Sequence, residues 1–247
     1  MTRLVALLIA FALVAPLALP AEALELDRRR MLTAAEHKPW KGVGRVNIAA
    51  QSERSMCTGT LIAPDLVVTA AHCLYSDRTG RPHKPGNVHF VAGWRRGTKV
   101  AHRKAAALTI HPSYTHGSDL SFEKIGADLA LIRLEEAIPV EVAPAFRVSA
   151  DVRRDLEMTL ISYRQDRAHA LTRQEGCEIN GARDSVLVLG CDVTFGASGS
   201  PVFAEIEGEP RVIAVISAKG QDRDTRRAIA FAVRAGSRLA DLLEELN

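Results

Sequence analysis

The chain has 247 residues, enough for one large domain or two small ones with a sizeable core. Its apolar share of 47% and charged share of 25% are ordinary for a soluble globular protein. A formal net charge of +3 is too small to indicate nucleic-acid binding, and the arginine pairs are scattered along the chain. We therefore expect no nucleic-acid partner.

The N-terminus has the pattern of a secretory signal peptide. Arg3 precedes an apolar run from Leu4 to Leu19, and Ala21-Glu22-Ala23 has the small-x-small pattern of a cleavage site. The run is short for a membrane span, so an uncleaved anchor is the weaker alternative. We expect residues 1–23 to be removed, leaving a secreted or periplasmic protein without a membrane span.

Secretion makes the four cysteines candidates for disulfides, because exported proteins fold in an oxidising compartment. Four cysteines allow three pairings, and the sequence alone does not choose among them. Local pairing of Cys57 with Cys73 and of Cys177 with Cys191 would close two short loops. Zinc binding is the competing interpretation, but no C-x-x-C or H-E-x-x-H spacing is present. Disulfides are therefore favoured.

Residues 24–41 are polar and basic, which indicates a leader or an N-terminal arm rather than core. From Gly42 onward, short apolar runs alternate with Gly, Pro and Asp turns, a pattern typical of an all-β sandwich or barrel. The predicted strands are Arg45–Ala49, Thr58–Ile62, Leu66–Thr69, Val88–Gly93, Lys99–Ile110, Leu129–Leu134, Met158–Tyr163, Val186–Leu189, Pro201–Ala204, Val212–Ser217 and Ala228–Val233.

The C-terminus breaks this pattern. Leucines at positions 239, 242, 243 and 246 recur at helical spacing, and Gly236-Ser237 supplies a start signal, so a helix is predicted over Ser237–Leu246. We expect these leucines to pack against the body of the protein, with a partner-binding helix as the weaker alternative.

The stretch Cys191–Phe203 contains a candidate nucleophile. Ser198 lies between Gly196 and Gly199, and such small neighbours let the backbone turn sharply and aim its N–H groups at one point. A Gly/Ser surface turn would explain the stretch equally well on its own. A reactive serine needs a base and a set of oxyanion donors, so candidates for the base decide its interpretation.

Two upstream residues suit that chemistry. His72 follows an apolar strand and stands beside Cys73, so a disulfide there would hold the imidazole in a fixed place, as a general base requires. Asp128 precedes the apolar run Leu129–Leu134, where its carboxylate can accept a hydrogen bond from the imidazole. Asp119 is the nearest rival, but a poorer strand follows it.

Three segments in this order resemble the catalytic motifs of the trypsin-fold (chymotrypsin-like) serine proteases. They are Leu66-Val-Val-Thr-Ala-Ala-His-Cys73, Asp128-Leu-Ala-Leu-Ile-Arg-Leu134 and Gly196-Ala-Ser-Gly-Ser-Pro201. The resemblance spans roughly residues 42–235. It implies an all-β fold of two six-stranded Greek-key β-barrels with a C-terminal α-helix, divided here into residues 42–140 and 141–247.

The resemblance also implies an acyl-transfer mechanism. Ser198 would be the nucleophile, His72 the proton carrier and Asp128 its orienting partner, with the N–H groups of Gly196 and Ser198 as the oxyanion hole. Such a monomeric endopeptidase would act on proteins or peptides and needs no cofactor or metal. The order His, Asp, Ser excludes the α/β-hydrolases, which run Ser, acid, His. The alternatives from other classes are a non-catalytic binding module on the same fold and an export-linked structural or metal-binding protein.

The residues that would set substrate preference do not agree on one class of substrate. Ala197 stands where trypsin-type enzymes carry the aspartate that binds a freed N-terminus, so in this respect the chain is more similar to the bacterial V8-like (glutamyl endopeptidase-like) branch. Glutamate specificity would call for a histidine in residues 214–220, and none is present. Asp192 would instead suggest Arg/Lys substrates, unless Lys219 and Ile229 fill or neutralise its pocket or Asp192 is a structural turn residue. The resemblance places the substrate-binding residues at Asp192, Phe195, Ser217, Ala218 and Lys219, with Ser217 expected to form a hydrogen bond near Asp128.

Overall fold

The structure is a computed structural model that describes residues 29–50, 53–117 and 119–245. The predicted signal peptide, residues 1–23, lies outside the described residues. No helix within those ranges is long and apolar enough to cross a membrane.

The described residues form two antiparallel sheets and three short α-helices. The strands are β1 (Arg29–Met31), β2 (Val43–Ala50), β3 (Glu53–Ala63), β4 (Leu66–Thr69), β5 (Val88–Ala92), β6 (Ala101–Ile110), β7 (Ala130–Leu134), β8 (Met158–Ser162), β9 (Thr172–Glu175), β10 (Ile179–Arg183), β11 (Val186–Leu189), β12 (Pro201–Ile206), β13 (Glu209–Gln221) and β14 (Ala228–Arg234). The α-helices are α1 (Ala34–His37), α2 (Phe122–Gly126) and α3 (Ala235–Glu244), and 3₁₀ turns lie at Lys38–Trp40, Ala71–Leu74, Pro85–Asn87 and Gln165–Arg167.

The first sheet closes into a six-stranded barrel in the order β2-β3-β4-β7-β6-β5. Its interior is filled by fully buried side chains that include Leu61, Leu74, Phe90 and Ile132. Leu61, Phe90 and Ile132 come from predicted strands, so hydrophobic alternation with turn residues was a sufficient signal for the strands of this half. The all-β prediction is confirmed.

The second half is a curled sheet of eight strands in the order β1-β9-β8-β12-β13-β14-β11-β10. It has more strands than the six implied by the resemblance, because β1 joins at one edge and β10 forms the other. All the predicted strands are present, whereas β1, β9 and β10 were missed. These three are edge or near-edge strands with mostly polar side chains, which give no apolar alternation.

The N-terminal arm takes part in this sheet. Arg29, Arg30 and Met31 of β1 pair with β9, and the following Leu32 is 2% exposed in a hydrophobic cluster to which both halves contribute. Helix α1 then begins at a capping box in which Thr33 and Glu36 bind each other's backbone N–H groups.

The predicted C-terminal helix is present as α3. Leu242 is fully buried and Leu239 packs against the core, as predicted, while Leu243 is 40% exposed and Leu246 lies outside the described residues. Asp241 on the same helix lies 3.2 Å from the buried His111, whose backbone N–H binds the carbonyl of Leu129 beside the first barrel. Helix α3 therefore connects the two halves.

Two disulfides have the pairing that was favoured from the sequence. Cys57 bonds Cys73 across a separation of 16 residues, and Cys177 bonds Cys191 across 14. The first joins β3 to the turn that carries His72, and the second lies just before the loop that carries Ser198. Both therefore hold segments next to the candidate catalytic residues.

We expect reduction of the disulfides to lower stability. In the chain-entropy model, closing a loop of this length contributes about 3 kcal/mol, so opening one bridge should lower the melting temperature by on the order of 10 °C. Thermal melts followed by circular dichroism, with and without reductant, measure this. The paired variants Cys57→Ser/Cys73→Ser and Cys177→Ser/Cys191→Ser separate the two bridges, and an unchanged melting curve in both would contradict the expected contribution.

Candidate active site

His72 and Asp128 are brought together by the pairing of β4 with β7. Thr69 at the end of β4 pairs with Ala130 at the start of β7, so the 3₁₀ turn that carries His72 faces the residue just before β7. Nδ1 of His72 lies 2.7 Å from Oδ2 of Asp128, and the His72 backbone N–H donates to Oδ1 at 2.8 Å. Asp128 therefore holds both the imidazole and its main chain.

Ser217 on β13 supplies a third hydrogen bond to this carboxylate. Its hydroxyl donates to Oδ2 of Asp128 at 2.5 Å, which links the second sheet to the first barrel. Asp128 is only 4% exposed, while the His72 side chain is 33% exposed. Three donors satisfy a carboxylate that would otherwise be costly to bury. The hydrogen bonds among Ser217, Asp128 and His72 therefore connect a buried carboxylate to a partly exposed imidazole.

The charges of this pair stabilise each other. Burial alone would raise the pKa of Asp128, but the adjacent His72 and the hydrogen bonds from His72 and Ser217 outweigh it and hold the pKa below its usual range. Burial alone would lower the pKa of His72, but the Asp128 carboxylate and its hydrogen bond raise it above the usual imidazole value. An imidazolium formed at this position is thus stabilised.

Ser198 reaches the same region on a sharply turned loop. Its carbonyl accepts from the N–H of Thr58 on β3 at 2.8 Å, and the N–H of the next residue, Gly199, donates to Ile216 on β13 at 2.8 Å. Ser198 and His72 line one cleft of about 660 Å³. Within the described residues the Ser198 hydroxyl makes no hydrogen bond, and Nε2 of His72 lies 3.8 Å from Sγ of Cys73.

The turn around Ser198 requires two glycines. Gly196 has φ +89° and Gly199 has φ +79°, values that L side chains rarely adopt. A Cβ at Gly196 would lie 2.6 Å from the Met56 side chain, and one at Gly199 would lie 2.2 Å from the carbonyl oxygen of Thr58. The loop packs so closely on β3 that only glycine fits at these positions.

The main-chain carbonyls of this loop are bonded to neighbouring segments, whereas several of its N–H groups have no acceptor among the described residues. The carbonyl of Phe195 accepts from Gln165 N–H at 2.7 Å, and the carbonyl of Gly196 accepts from the Thr58 hydroxyl at 2.8 Å. The N–H groups of Gly196 and Ser198, in contrast, have no acceptor among the described residues, although both residues line the cleft. Unbonded N–H donors that border one cleft are what an oxyanion needs.

Four of the five predicted substrate-binding residues line this cleft. They are Phe195, Ser217, Ala218 and Lys219. The Phe195 ring is 66% exposed, and Nζ of Lys219 lies 4.3 Å from the ring centroid, a cation–π contact. The structure does not bring Asp192 into the cleft, because its carboxylate contacts Arg29 and Arg164 instead.

Zinc binding by the cysteines was the alternative to disulfides, and one cluster of potential ligands lies beside the imidazole. Cys57, His72 and Cys73 have potential ligand atoms within 4.8 Å of one another. Both sulfurs, however, belong to the Cys57–Cys73 disulfide and are not thiolates, the form that binds zinc. This cluster therefore does not have the chemistry of a zinc site.

Comparison with known proteins agrees with this geometry. Residues 57–215, more than half of the chain, match the family described as trypsin-like peptidase domain. The chain belongs to the trypsin-like peptidase family. A modular serine protease of Drosophila melanogaster is 31% identical over 97 residues, a match that covers 37% of this chain and 14% of the Drosophila protein.

Two solved structures show the same trypsin-like peptidase fold. The protease Anisep from Arthrobacter nicotinovorans gives a TM-score of 0.68 at 17% identity, covering 88% of this chain and 98% of that one. A Glu endopeptidase in complex with MPD gives 0.70 at 16% identity, covering 88% of this chain and 95% of that one. The predicted resemblance to the trypsin fold is confirmed.

Some residues of this trypsin-like site were not predicted from the sequence. The Thr58 side chain accepts from the Tyr163 N–H and donates to the Gly196 carbonyl, residues 105 and 138 positions away in the chain. Arg29 and Arg164 were missed as partners of Asp192. Contacts between such distant segments leave no local signal, since neither a buried threonine nor an ion-paired arginine has a distinctive sequence neighbourhood.

We expect the pH dependence of peptide hydrolysis to follow the raised pKa of His72. Below that pKa the imidazole is protonated and cannot accept the serine proton, so activity is lost on the acid side. The acid limb of kcat/KM, which reports the free enzyme, should therefore lie above the ordinary imidazole value of about 6.5. A pH–rate profile with a peptide substrate measures it, and a limb well below that value would contradict the raised pKa.

Proposed function

We propose that this chain is a secreted or periplasmic serine endopeptidase. The observation that carries the proposal is the hydrogen-bonded array of Ser217, Asp128 and His72, facing the same cleft as Ser198. In the proposed mechanism Ser198 attacks the substrate carbonyl, while His72 takes the hydroxyl proton and later gives it to the leaving amine. Asp128 keeps the imidazole in the tautomer that allows this.

The free N–H groups of Gly196 and Ser198 support the next step. They would bind the oxyanion of the tetrahedral intermediate, and each such donor contributes on the order of 3 kcal/mol at the transition state. The acyl group is then transferred from the serine to water. All the groups that this reaction needs belong to the chain itself.

The substrate would bind as an extended peptide along β13. Residues 216–221 extend beyond the pairing with β12, and from Ala218 onward the strand pairs with β14 on one side. The segment Ser217–Lys219 lines the cleft, where a peptide strand can add to the free edge. We therefore propose proteins or peptides as substrates of a monomeric enzyme. Export through the predicted signal peptide suits the two disulfides.

The proposal is tested with a fluorophosphonate probe on the purified chain. A phosphonylated peptide mapped by mass spectrometry to Ser198, absent in the Ser198→Ala variant, is the expected result. Folded protein that remains unlabelled would favour the alternative of a non-catalytic binding module. Cleavage of a peptide library by unlabelled protein from a preparation that reacts with the probe would then give the preferred residue at the scissile bond.

A further inference from the structure

Asp192 is the centre of a charged cluster that also includes residues of the N-terminal arm. Its carboxylate contacts Arg29 of β1, and Nη2 of Arg164 lies 3.9 Å from the same oxygen. Arg164 also binds both carboxylate oxygens of Asp166, at 3.1 and 3.4 Å. Arg167 donates to the main-chain carbonyl of Arg29 at 3.2 Å. The cluster, defined by Arg29, Arg164, Asp166, Arg167 and Asp192, is called the Asp192 clamp below.

The Asp192 clamp holds the loop that leads to Ser198. Nη1 of Arg164 donates to the main-chain carbonyl of Asp192 at 2.9 Å, and the next residue, Gln165, donates its N–H to the carbonyl of Phe195. The segment 164–165 therefore forms hydrogen bonds to two main-chain carbonyls of the loop, those of Asp192 and Phe195. The second hydrogen bond fixes the peptide whose N–H belongs to Gly196, one of the two proposed oxyanion donors, because the C=O and N–H of one peptide unit are held in a single plane.

Burial makes this cluster more than a surface ion pair. Arg164 is 8% exposed, so its guanidinium is costly to bury unless carboxylates and carbonyls surround it. The Asp192 and Arg29 side chains are 34% and 24% exposed. Arg29 in turn is held in place because β1 pairs with β9 and because Arg167 binds its carbonyl. The N-terminal arm thus holds the positive charge of Arg29 against Asp192, at the start of the loop that carries Ser198.

The same contacts account for the position of Asp192 outside the substrate cleft. Its charge is matched by Arg29 and Arg164, and it borders a separate cavity of about 310 Å³ together with Arg29, Arg226 and Arg227. A carboxylate already engaged by two guanidinium groups has little free capacity to select a basic substrate side chain.

We propose that Arg29 is a positioning residue for the reaction: through Asp192, and together with Arg164, it orders the loop that carries the oxyanion donors. This inference rests on the proposed peptidase function. The N-terminal arm becomes part of the catalytic apparatus, although it lies outside the region that matches the family. In this role Asp192 acts on catalysis rather than on the choice of substrate.

The test compares Arg29→Met, Arg29→Lys and Asp192→Asn with the parent chain in peptide hydrolysis. Arg29→Met and Asp192→Asn should each lower kcat about tenfold, less than the ~10²–10³-fold loss of an oxyanion donor itself. KM and the preferred cleavage residue should stay unchanged, because ground-state binding does not use the clamp. Arg29→Lys should keep most of the parental activity. The double variant Arg29→Met/Asp192→Asn should be no slower than either single variant, because both changes break the same contact. Arg227→Met, an exposed arginine beside the same cavity, is the matched control and should equal the parent.

Hydrogen–deuterium exchange gives a readout that does not depend on activity. The peptide covering residues 192–198 should exchange faster in Arg29→Met and Asp192→Asn, while peptides from β12 should not change. Unchanged kcat and exchange in both variants would overturn the inference, as would a shift in cleavage preference on removing Asp192. If the parent neither cleaves peptides nor reacts with the fluorophosphonate, the proposed function fails, and the exchange comparison alone decides whether the clamp orders the loop.

Discussion

The Ser198→Ala variant is expected to fold like the parent chain and to lose peptide hydrolysis almost completely. Removing a serine nucleophile from such a triad lowers kcat on the order of 10⁶-fold, because the base and the orienting acid have no function without it. The loop itself should survive, since its hydrogen bonds come from the Ser198 carbonyl and the neighbouring backbone rather than from the hydroxyl. Initial rates with a fluorogenic peptide, together with a thermal melt, measure both parts.

Ser200→Ala is the matched control for this variant. Ser200 lies two positions further along the same loop, is fully buried, and its hydroxyl has no hydrogen-bond partner among the described residues. Its loss should leave the rate close to that of the parent. If Ser198→Ala kept substantial activity, or if Ser200→Ala removed as much, Ser198 would not be the nucleophile.

Asp128→Asn is expected to lower kcat by about 10⁴-fold with little change in the fold. The amide has the size of the carboxylate, but its NH₂ group can donate to Nδ1 of His72. That would favour the tautomer with the proton on Nε2, which cannot accept the proton of Ser198. Loss of the negative charge also removes the group that raises the pKa of His72.

This variant has a control that the sequence itself suggests. Asp119 was the nearest rival in the sequence, yet its carboxylate is 78% exposed and binds Lys124 at 2.7 Å. Asp119→Asn should therefore hydrolyse peptide at nearly the parental rate. Equal losses in the two variants would point to a general loss of stability, and full activity in Asp128→Asn would refute the assigned role.

The parts of the molecule that could be predicted are those whose signal is local. The apolar runs identified the strands of the first barrel. Short motifs identified His72, Asp128 and Ser198: His72 and Ser198 line one cleft, and His72 contacts the Asp128 carboxylate. Ser217 was expected near Asp128, and its hydroxyl does bind that carboxylate.

The parts that were missed depend on contacts between distant segments. The three missed strands pair through main-chain atoms at or near a sheet edge, where polar side chains are tolerated and no alternation is needed. Asp192 shows the same limit, because its spacing before Ser198 suggested a substrate pocket while its surroundings were set by an arginine 163 positions earlier. Spacing within a motif therefore predicted backbone position better than it predicted the direction of a side chain.

Two neighbouring residues of β3, Cys57 and Thr58, anchor the segments that carry His72 and Ser198. Through the disulfide, Cys57 restrains the turn that carries His72, while Thr58 binds the carbonyls of Gly196 and Ser198. His72 and Ser198 are thus anchored at adjacent positions of a single strand, although they come from opposite halves of the protein. A change in the separation of the two halves should therefore move His72 and Ser198 together, so that the distance between them changes little.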